Sequence, residues 1–186
     1  YVIDQANKPY LWPIHGPGGR LMTRSYPMAK LEGERTDHPH QRGLCLGHDS
    51  LGGFDTWSER LTFEGRPKEA EALTRLGSIR HREYLAGGSR GVIHAVNDFL
   101  DPNGKPALAE ERRMTFSVDG ASRVIDVDID LVAAHGPVRI DDKKDAGLSI
   151  RVAHSMTVDA KQGGTIVNAN GERDVAAWAK RATWCD

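Results

Sequence analysis

The sequence predicts a mainly β protein, an antiparallel β-sandwich with few short helices. Apolar and polar residues alternate along several segments, which is the period of a strand with one face buried. Gly, Pro and Asn-Gly turn signals separate these segments. Helical periodicity is weak by comparison, so we expect two packed sheets in a single domain over residues 1–186.

The clearest strand covers 123–133. Its residues alternate, with Ile125, Val127, Ile129 and Leu131 on one face and Asp126, Asp128 and Asp130 on the other. The preceding segments "GVIHAVNDFL" and "ALAEERRMTFSV" read as strands joined by a turn at 101–105 that contains Asn-Gly. Residues 78–134 are therefore predicted to form a four-stranded antiparallel meander.

The remaining elements are predicted from shorter patterns. The glycines at 16–19 indicate a hairpin turn near the N-terminus. Two further strands are expected over 148–158 and 164–171. "PKEAEALTRL" at 67–76 favours a helix, and 175–182 is a weaker helical candidate.

Composition excludes several classes of function. The chain has 25 Lys and Arg against 26 Asp and Glu with no clustering of the basic residues, so we expect no nucleic-acid partner. The longest apolar run is five residues at 175–179, whereas a membrane span needs about 20. We expect a soluble protein, periplasmic or secreted or else cytoplasmic, and not an integral membrane protein. Cys45, between two leucines, is predicted to be a buried free thiol.

The stretch "TDHPHQRGLCLGHDS" at 36–50 is the main candidate site. Pro39 favours an extended His38, and extended residues two apart share a face about 6.6 Å apart. His38 and His40 can then converge on one substrate or one divalent metal ion, with Asp37 orienting a ring and Arg42 binding a carboxylate or hydroxyl. His48 follows eight residues after His40, an even spacing that favours the same face of an extended chain. The alternative is a set of partly exposed histidines with no common role.

A second candidate is His81 with Glu83, which are expected to share one face of a strand. A His/Glu pair suits general acid–base chemistry, although taken alone it is more typical of an ordinary polar strand face. Trp57 lies near the histidines in sequence and is expected to seat a sugar ring. Trp178 and Trp184 are expected to pack in the core.

The order of several stretches resembles a bacterial family labelled "methane oxygenase PmoA", or PmoA family protein. The stretches are "KPYLWPIHGPGG", "TRSYPM", "TDHPHQRGLCLGHDSLGGFDTW", "GSIRHREYL", "RVIDVDIDLVAA", "DDKKDAGLSIRVA" and "WAKRATWCD". The resemblance implies a carbohydrate-associated protein with a sandwich like that of galactose mutarotase. It also implies a domain that continues past residue 186, so this chain is expected to lack a C-terminal portion.

Position by position, the resemblance implies nine site residues: His38, His40, Arg42, His48, Trp57, His81, Glu83, Lys144 and Arg151. The sequence departs from the family pattern at three positions. Gln41 stands where another histidine is usual, Asp145 where a glutamate is usual, and Cys45 where an aromatic residue is commoner. These departures leave open whether a complete catalytic or ligand set is present.

Three functions follow from these residues. The first is a lyase or hydrolase acting on a sugar or oxidised glycoside, with His38, His40, His48, His81 and Glu83 catalytic and Arg42, Trp57, Lys144 and Arg151 binding substrate. The second is a carbohydrate-binding module without turnover. The third is a cupin-like metalloenzyme with His38 and His40 as ligands of one divalent metal; otherwise no cofactor is expected. Methane oxidation is not expected of a chain that cannot span a bilayer.

Overall fold

A computed structural model of the protein describes residues 1–86 and 90–186. Strands contain 37% of the residues and helices 11%, and the strands form two antiparallel sheets. The strands are β1 (Tyr10–Leu11), β2 (Leu44–His48), β3 (Ser78–Tyr84), β4 (Val92–Leu100), β5 (Pro106–Asp119), β6 (Ser122–Val132) and β7 (Ala146–Ile150). The α-helices among the described residues are α1 (Arg60–Phe63) and α2 (Glu69–Leu73). The predicted fold class is confirmed.

The large sheet is the predicted meander, with strand order β3-β4-β5-β6. The β4–β5 turn forms because Asp101 Oδ1 accepts the backbone N–H groups of Asn103 and Lys105 at 2.8 and 2.9 Å. Gly104 in this turn has a φ of 80°, which a glycine adopts without strain. Along residues 125–130 of β6, alternate residues are half-buried and exposed as the sequence pattern predicts, whereas Leu131, predicted on the buried face, is 45% exposed.

The small sheet has the order β1-β2-β7 and packs against the large sheet. The core between them contains Leu46 from β2 and Ile79, Phe99 and Leu108 from the large sheet, together with Leu51 and Phe54. Each of these side chains is at most 8% exposed. The faces that carry Leu46 and Phe99 are therefore the inner faces of the two sheets.

The region after Ile150 departs from the prediction. The strand expected over 148–158 ends at Ile150, and short 3-10 helices follow at His154–Met156 and Val158–Ala160. The strand expected over 164–171 is reduced to the isolated bridges Val167–Arg173 and Asn168–Cys185. A strand pattern becomes a strand only where a second segment pairs along its length, and here the pairing stops after single residues.

Two other predictions for this region were also wrong. The weak helix at 175–182 is a single 3-10 turn at Asp174–Ala176. Trp178 and Trp184, expected in the core, are 78% and 55% exposed.

In contrast, α2 lies within the helix predicted over 67–76. Cys45 is a buried free thiol, as predicted. Within the described residues, no helix has the length and apolar character that crossing a bilayer requires.

Candidate functional site

His38 and His40 lie in a turn that precedes β2. The backbone N–H of Gln41 donates to the carbonyl of His38 at 3.0 Å, and His38 has a φ of 49°. The expectation of an extended His38 was therefore wrong. A following proline disfavours the right-handed helical region, and the turn satisfies this restriction with left-handed rather than extended geometry. The turn still brings the two imidazoles together, with ring centroids 5.8 Å apart in an edge-to-face arrangement.

His40 is the buried member of the pair and His38 the exposed one. His40 is 9% exposed, and its Nδ1 lies 3.1 Å from Thr62 Oγ1. Burial and, after it, the positive charges of Lys8, His38, Arg151 and Arg66 together lower the pKa of His40 to about 3. The imidazole is therefore neutral across the physiological pH range.

A buried ion-pair network lies beside His40. Arg42 donates from Nε and Nη2 to the two carboxylate oxygens of Glu59 at 2.8 and 2.7 Å. Lys8 Nζ is 3.7 Å from the same carboxylate and donates to the carbonyl of Trp57 at 2.5 Å. Lys8 is 1% exposed, and burial lowers its pKa. Because Glu59 accepts hydrogen bonds from both Nε and Nη2 of Arg42, this arginine stabilises the local structure. These two donors are not free to bind a substrate carboxylate.

Asp37 joins Arg151 to the histidine turn. Arg151 donates to Asp37 Oδ1 at 2.5 Å, to Gln41 Oε1 at 2.7 Å and to the carbonyl of His38 at 3.3 Å. His38 Nδ1 lies 3.3 Å from Asp37 Oδ2, so Asp37 contacts a ring as the sequence analysis expected. Partial burial acts to raise the pKa of Asp37, but Arg151 and His38 hold it below its usual value.

The surroundings of the turn are rich in arginine. Arg24 Nη1 lies 3.5 Å and Arg35 Nε 3.9 Å from the Asp37 carboxylate that Arg151 also contacts. Arg24 is 6% exposed at its side chain, whereas Arg35 is 56% exposed. Three guanidinium groups thus share one carboxylate, although Arg35 also pairs with Asp159 at 3.1 Å. The exposed part of this surface, around His38 and Arg35, is suited to an anionic group.

Trp57 lies beneath His40 and not on the surface. It is 7% exposed, and its ring centroid lies 6.2 Å from that of His40. Gly47 of β2 permits this packing, because a Cβ there would lie 2.9 Å from the carbonyl oxygen of Thr56 and 3.0 Å from Trp57 Cα. A sugar ring has no access to the face of Trp57 in this position, so its contribution is to support His40.

His48 does not join the turn. Leu46 and His48 alternate with Cys45 and Gly47 along β2, and Gly47 faces Thr56 and Trp57. His48 therefore lies on the inner face of the small sheet, at the end of β2 away from Arg42. Its Nδ1 accepts the backbone N–H of Ser50 at 3.0 Å, which is a local contact.

His81 and Glu83 lie on opposite faces of the large sheet, and the expectation of a common face was wrong. A β-bulge at Arg82 shifts the register, so that His81 pairs with Asn97 and Glu83 pairs with Val96. Because Asn97 and Val96 are consecutive, their side chains point to opposite faces. Glu83 contacts Arg82 Nε at 3.5 Å on the outer face.

His81 lies on the inner face, where its ring contacts Tyr84 and Tyr1 at centroid distances of 4.3 and 6.5 Å. Its neighbours therefore differ entirely from those of His40. The His40 network covers the outer face of the small sheet, since Tyr10 pairs with Cys45 and stacks under Arg42. The predicted single pocket is thus divided between two places in the fold.

Lys144 is exposed in the loop before β7, away from the turn.

Among residues 1–86 and 90–186, no group of three or more His, Cys, Asp or Glu side chains is arranged to hold a metal ion. In the turn, the Nδ1 atoms of His38 and His40 contact Asp37 and Thr62, so the imidazoles offer two Nε2 atoms as donors. Two donors are fewer than the three protein ligands usual at a catalytic zinc ion, and no step is assigned to a metal.

An open cleft of about 790 Å³ borders the network at Glu59. It lies between the α1–α2 segment, the start of β3 and the β4–β5 turn. Glu64, Glu69 and Asp101 line it together with Arg60 and Arg80. With Glu59 included, acids outnumber bases, so the cleft is less suited to an acidic ligand than the arginine-rich surface around His38.

The whole chain, residues 1–186, matches the model of a family of unknown function, DUF6807. The chain belongs to this family. No curated protein and no solved structure matches it. For this DUF6807 member, function must therefore be argued from the arrangement of its own residues.

Sequence reasoning missed Lys8, Glu59 and Thr62, which position Arg42 and His40 in this DUF6807 member. One signal was present in "SERLT": Glu59 and Thr62 are three residues apart and form a capping box at α1, with the Glu59 N–H donating to Thr62 Oγ1 at 3.0 Å. Lys8 carried no local signal, because its role depends on contacts with Trp57 and Glu59, about fifty residues away along the chain.

Proposed function

We propose that the protein is a carbohydrate-active protein, a lyase or hydrolase that acts on an oxidised sugar at the His38–His40 turn. The observation that carries this proposal is the pairing of two unlike imidazoles. His40 is buried and neutral, with a pKa of about 3, and lies next to an exposed His38 among arginines. The motif resemblance to carbohydrate-associated proteins supports the substrate class.

The chemistry follows from the charges around the turn. An oxidised sugar carries a carboxylate, which His38 and Arg35 can bind at the surface, since both side chains are 56% exposed. Binding there makes the C–H group next to the carboxylate more acidic, because it stabilises the negative charge that develops when the proton is removed. His40 is unprotonated near neutral pH but is a weak base in the free protein, and the negative charge of the bound carboxylate raises its pKa towards the range in which it accepts that proton.

In a lyase reaction, the electron pair of the broken C–H bond forms a C=C bond. The bond from the neighbouring carbon to the glycosidic oxygen then breaks, and the leaving oxygen takes a proton from water. In a hydrolase reaction, water is added across the glycosidic bond and no C=C bond forms. The two outcomes differ in their products and are directly distinguishable.

A non-catalytic carbohydrate-binding module is the second candidate. One observation favours it: Arg42 and Arg151 are both held by carboxylates, by Glu59 and Asp37, and are only 13% and 9% exposed. Groups that are already paired stabilise a surface more readily than they stabilise a transition state. A binding module would use the exposed His38 and Arg35 without turnover.

The experiment incubates the protein with polygalacturonate, an acidic sugar polymer, and with a neutral galactan. Ultraviolet absorbance follows a C=C bond conjugated to a carboxylate, and a reducing-sugar assay follows chain cleavage. A lyase gives both signals and a hydrolase gives only the reducing-sugar signal. In either case polygalacturonate reacts and the neutral galactan does not. Retardation of the protein in a polygalacturonate gel without either signal indicates the binding module.

The test variant is His40→Asn, which retains a hydrogen-bonding atom near Thr62, and its control is the exposed His135→Asn. We expect His40→Asn to lower kcat by about 100-fold or more, the usual contribution of a general base, and His135→Asn to leave it unchanged. The proposal fails if neither polymer is bound or cleaved by the parent protein.

A further inference from the structure

The inner face of the large sheet carries a row of polar residues beyond the apolar core. Cross-strand pairing places His81 opposite Asn97, and Asn97 opposite Glu110. Arg112 lies two residues further along β5 and pairs with Ala95. We call His81, Asn97, Glu110 and Arg112 the polar row. Asn97 and Glu110 are 0% exposed and Arg112 is 2% exposed, so three of the four are fully buried.

Arg112 has more donors than the row satisfies. Its Nε donates to Glu110 Oε1, and its guanidinium carbon lies 5.8 Å from the centre of the Tyr1 ring. Among the residues the structure describes, its buried Nη2 has no hydrogen-bond partner. A buried donor without an acceptor is costly, and native proteins rarely leave one without a reason. The ion pair with Glu110 therefore does not account for the whole guanidinium.

The charges of the row indicate what kind of acceptor fits. Arg112 and Glu110 neutralise each other, and Glu110 Oε2 also accepts from Asn97 Nδ2 at 3.4 Å. A second carboxylate at Nη2 would lie near that of Glu110 and be repelled. A hydroxyl group accepts from Nη2 and can donate to a carboxylate or amide oxygen with the same atom. The row thus matches neighbouring hydroxyl groups better than an anion.

Aromatic rings border the polar row. The Tyr84 ring is tilted against that of His81 and the Tyr84 side chain is 53% exposed, while Tyr1 meets His81 edge to face. The C–H faces of sugar rings are apolar and pack on aromatic rings of this kind. A polar row with an exposed tyrosine beside it combines hydrogen bonds and stacking within one small area.

The fold leaves the Tyr84 end of this area accessible, whereas the Tyr1 ring lies over Arg112 and the Tyr1 hydroxyl accepts a hydrogen bond from Asn97 Nδ2 at 3.2 Å. The strands of the small sheet are at most five residues long, whereas β5 and β6 have 14 and 11 residues. The small sheet therefore cannot cover the whole inner face of the large one. Leu148 and Ile150 of β7 pair with Leu46 and Leu44 on the inner face, yet they are 47% and 53% exposed. The sheets separate beyond the core instead of closing.

We propose that the polar row, together with Tyr84 and Tyr1, is a second binding site, for a neutral polyhydroxylated ligand such as a sugar ring. When the ligand displaces the Tyr1 ring from Arg112, Nη2 donates to one ligand hydroxyl, and Tyr84 packs on the ring of the ligand. This site is separate from the His38–His40 turn, because the turn lies behind the outer face of the small sheet. Neither site depends on the other.

The experiment titrates the protein with methyl β-D-galactoside and follows the imidazole signals by two-dimensional NMR. Binding at the polar row shifts the signals of His81 and leaves those of His38 and His40 unchanged. Tyr84→Ala, which alters an exposed side chain, should weaken binding about tenfold, which corresponds to about 1.4 kcal/mol. Arg112→Lys, which keeps the charge beside Glu110 but lacks Nη2, should weaken it to a similar extent.

Glu83→Ala is the matched control for Tyr84→Ala. Glu83 is the adjacent residue on the same strand, but the bulge directs it to the outer face, so its removal should leave the affinity within about twofold. The proposal is overturned if the galactoside leaves the His81 signals unmoved. It is also overturned if Glu83→Ala and Tyr84→Ala weaken binding equally. Shifts confined to His38 and His40 would assign the sugar to the turn instead.

Discussion

At the scale of single residues, His40 is a histidine whose surroundings exclude its charged form. Burial is the largest cause, and Lys8, His38, Arg151 and Arg66 add positive charge around it. The folded protein therefore binds a proton at His40 only near pH 3, whereas the unfolded chain binds one near the ordinary value of about 6.5. The unfolded state takes up more protons between these values, so stability falls as the pH decreases from about 6.5 towards 3.

We predict that His40→Asn removes much of this pH dependence. One proton of difference between the two states changes the unfolding free energy by up to about 1.4 kcal/mol per pH unit. The measurement is urea unfolding at pH 6.5 and at pH 5, where carboxylates with ordinary pKa values remain mostly ionised. The parent should lose stability over this interval and the variant should lose clearly less.

The control for this prediction is His15→Asn, which changes an exposed histidine near the N-terminal turn. Its unfolding free energy should follow the same pH dependence as that of the parent. Equal slopes for the parent and His40→Asn would mean that His40 is not the residue whose protonation destabilises the fold.

At the scale of elements, the strands of the large sheet were predictable because their pattern is local. From Ile125 to Asp130 of β6, apolar and acidic residues alternate, and the structure makes the apolar ones half-buried and the acidic ones exposed. The bulge in β3 was not predictable in the same way. It depends on which residue of β4 each residue of β3 faces, and the sequence of β3 alone holds no such information.

We predict that Ile129→Asp lowers the unfolding free energy by roughly 2–4 kcal/mol, because it places a carboxylate against the core. Ile129 is half-buried and packs against the cluster that contains Phe99 and Leu108. The neighbouring Asp128→Asn alters the exposed face of the same strand and should change stability by less than about 0.5 kcal/mol. Urea unfolding of both variants checks the register: equal effects would mean that the two faces of β6 are assigned wrongly.

At the scale of the whole molecule, the sandwich followed from composition and periodicity, but the division of the candidate site did not. The sequence placed His38, His40 and Asp37 together because they come from one short segment, and the family resemblance added Arg151, which contacts Asp37 in the structure. It placed His81 in the same pocket on spacing alone. Which side of a sheet a cluster occupies depends on how β1, β2 and the 55–59 segment stack, and that stacking joins residues far apart in sequence.

This division predicts which pairs of mutations interact. Residues that contact each other usually show coupling energies of about 0.5–3 kcal/mol, whereas separate sites add to within about 0.5 kcal/mol. Arg42 and Glu59 form a two-point ion pair and should couple strongly, because either single Ala variant leaves a buried charge behind. His40 and His81 contact different residues and should not couple.

We therefore expect a double-mutant cycle with His40→Asn and His81→Asn to be additive within about 0.5 kcal/mol. The cycle with Arg42→Ala and Glu59→Ala should show a double variant more stable than the sum of the single losses implies. Urea unfolding of all six variants and the parent at pH 7 gives both cycles, with the second as the positive control. A coupling energy clearly above 0.5 kcal/mol between the two histidines would support a single pocket. Residues that neither touch nor share partners have nearly additive effects on stability.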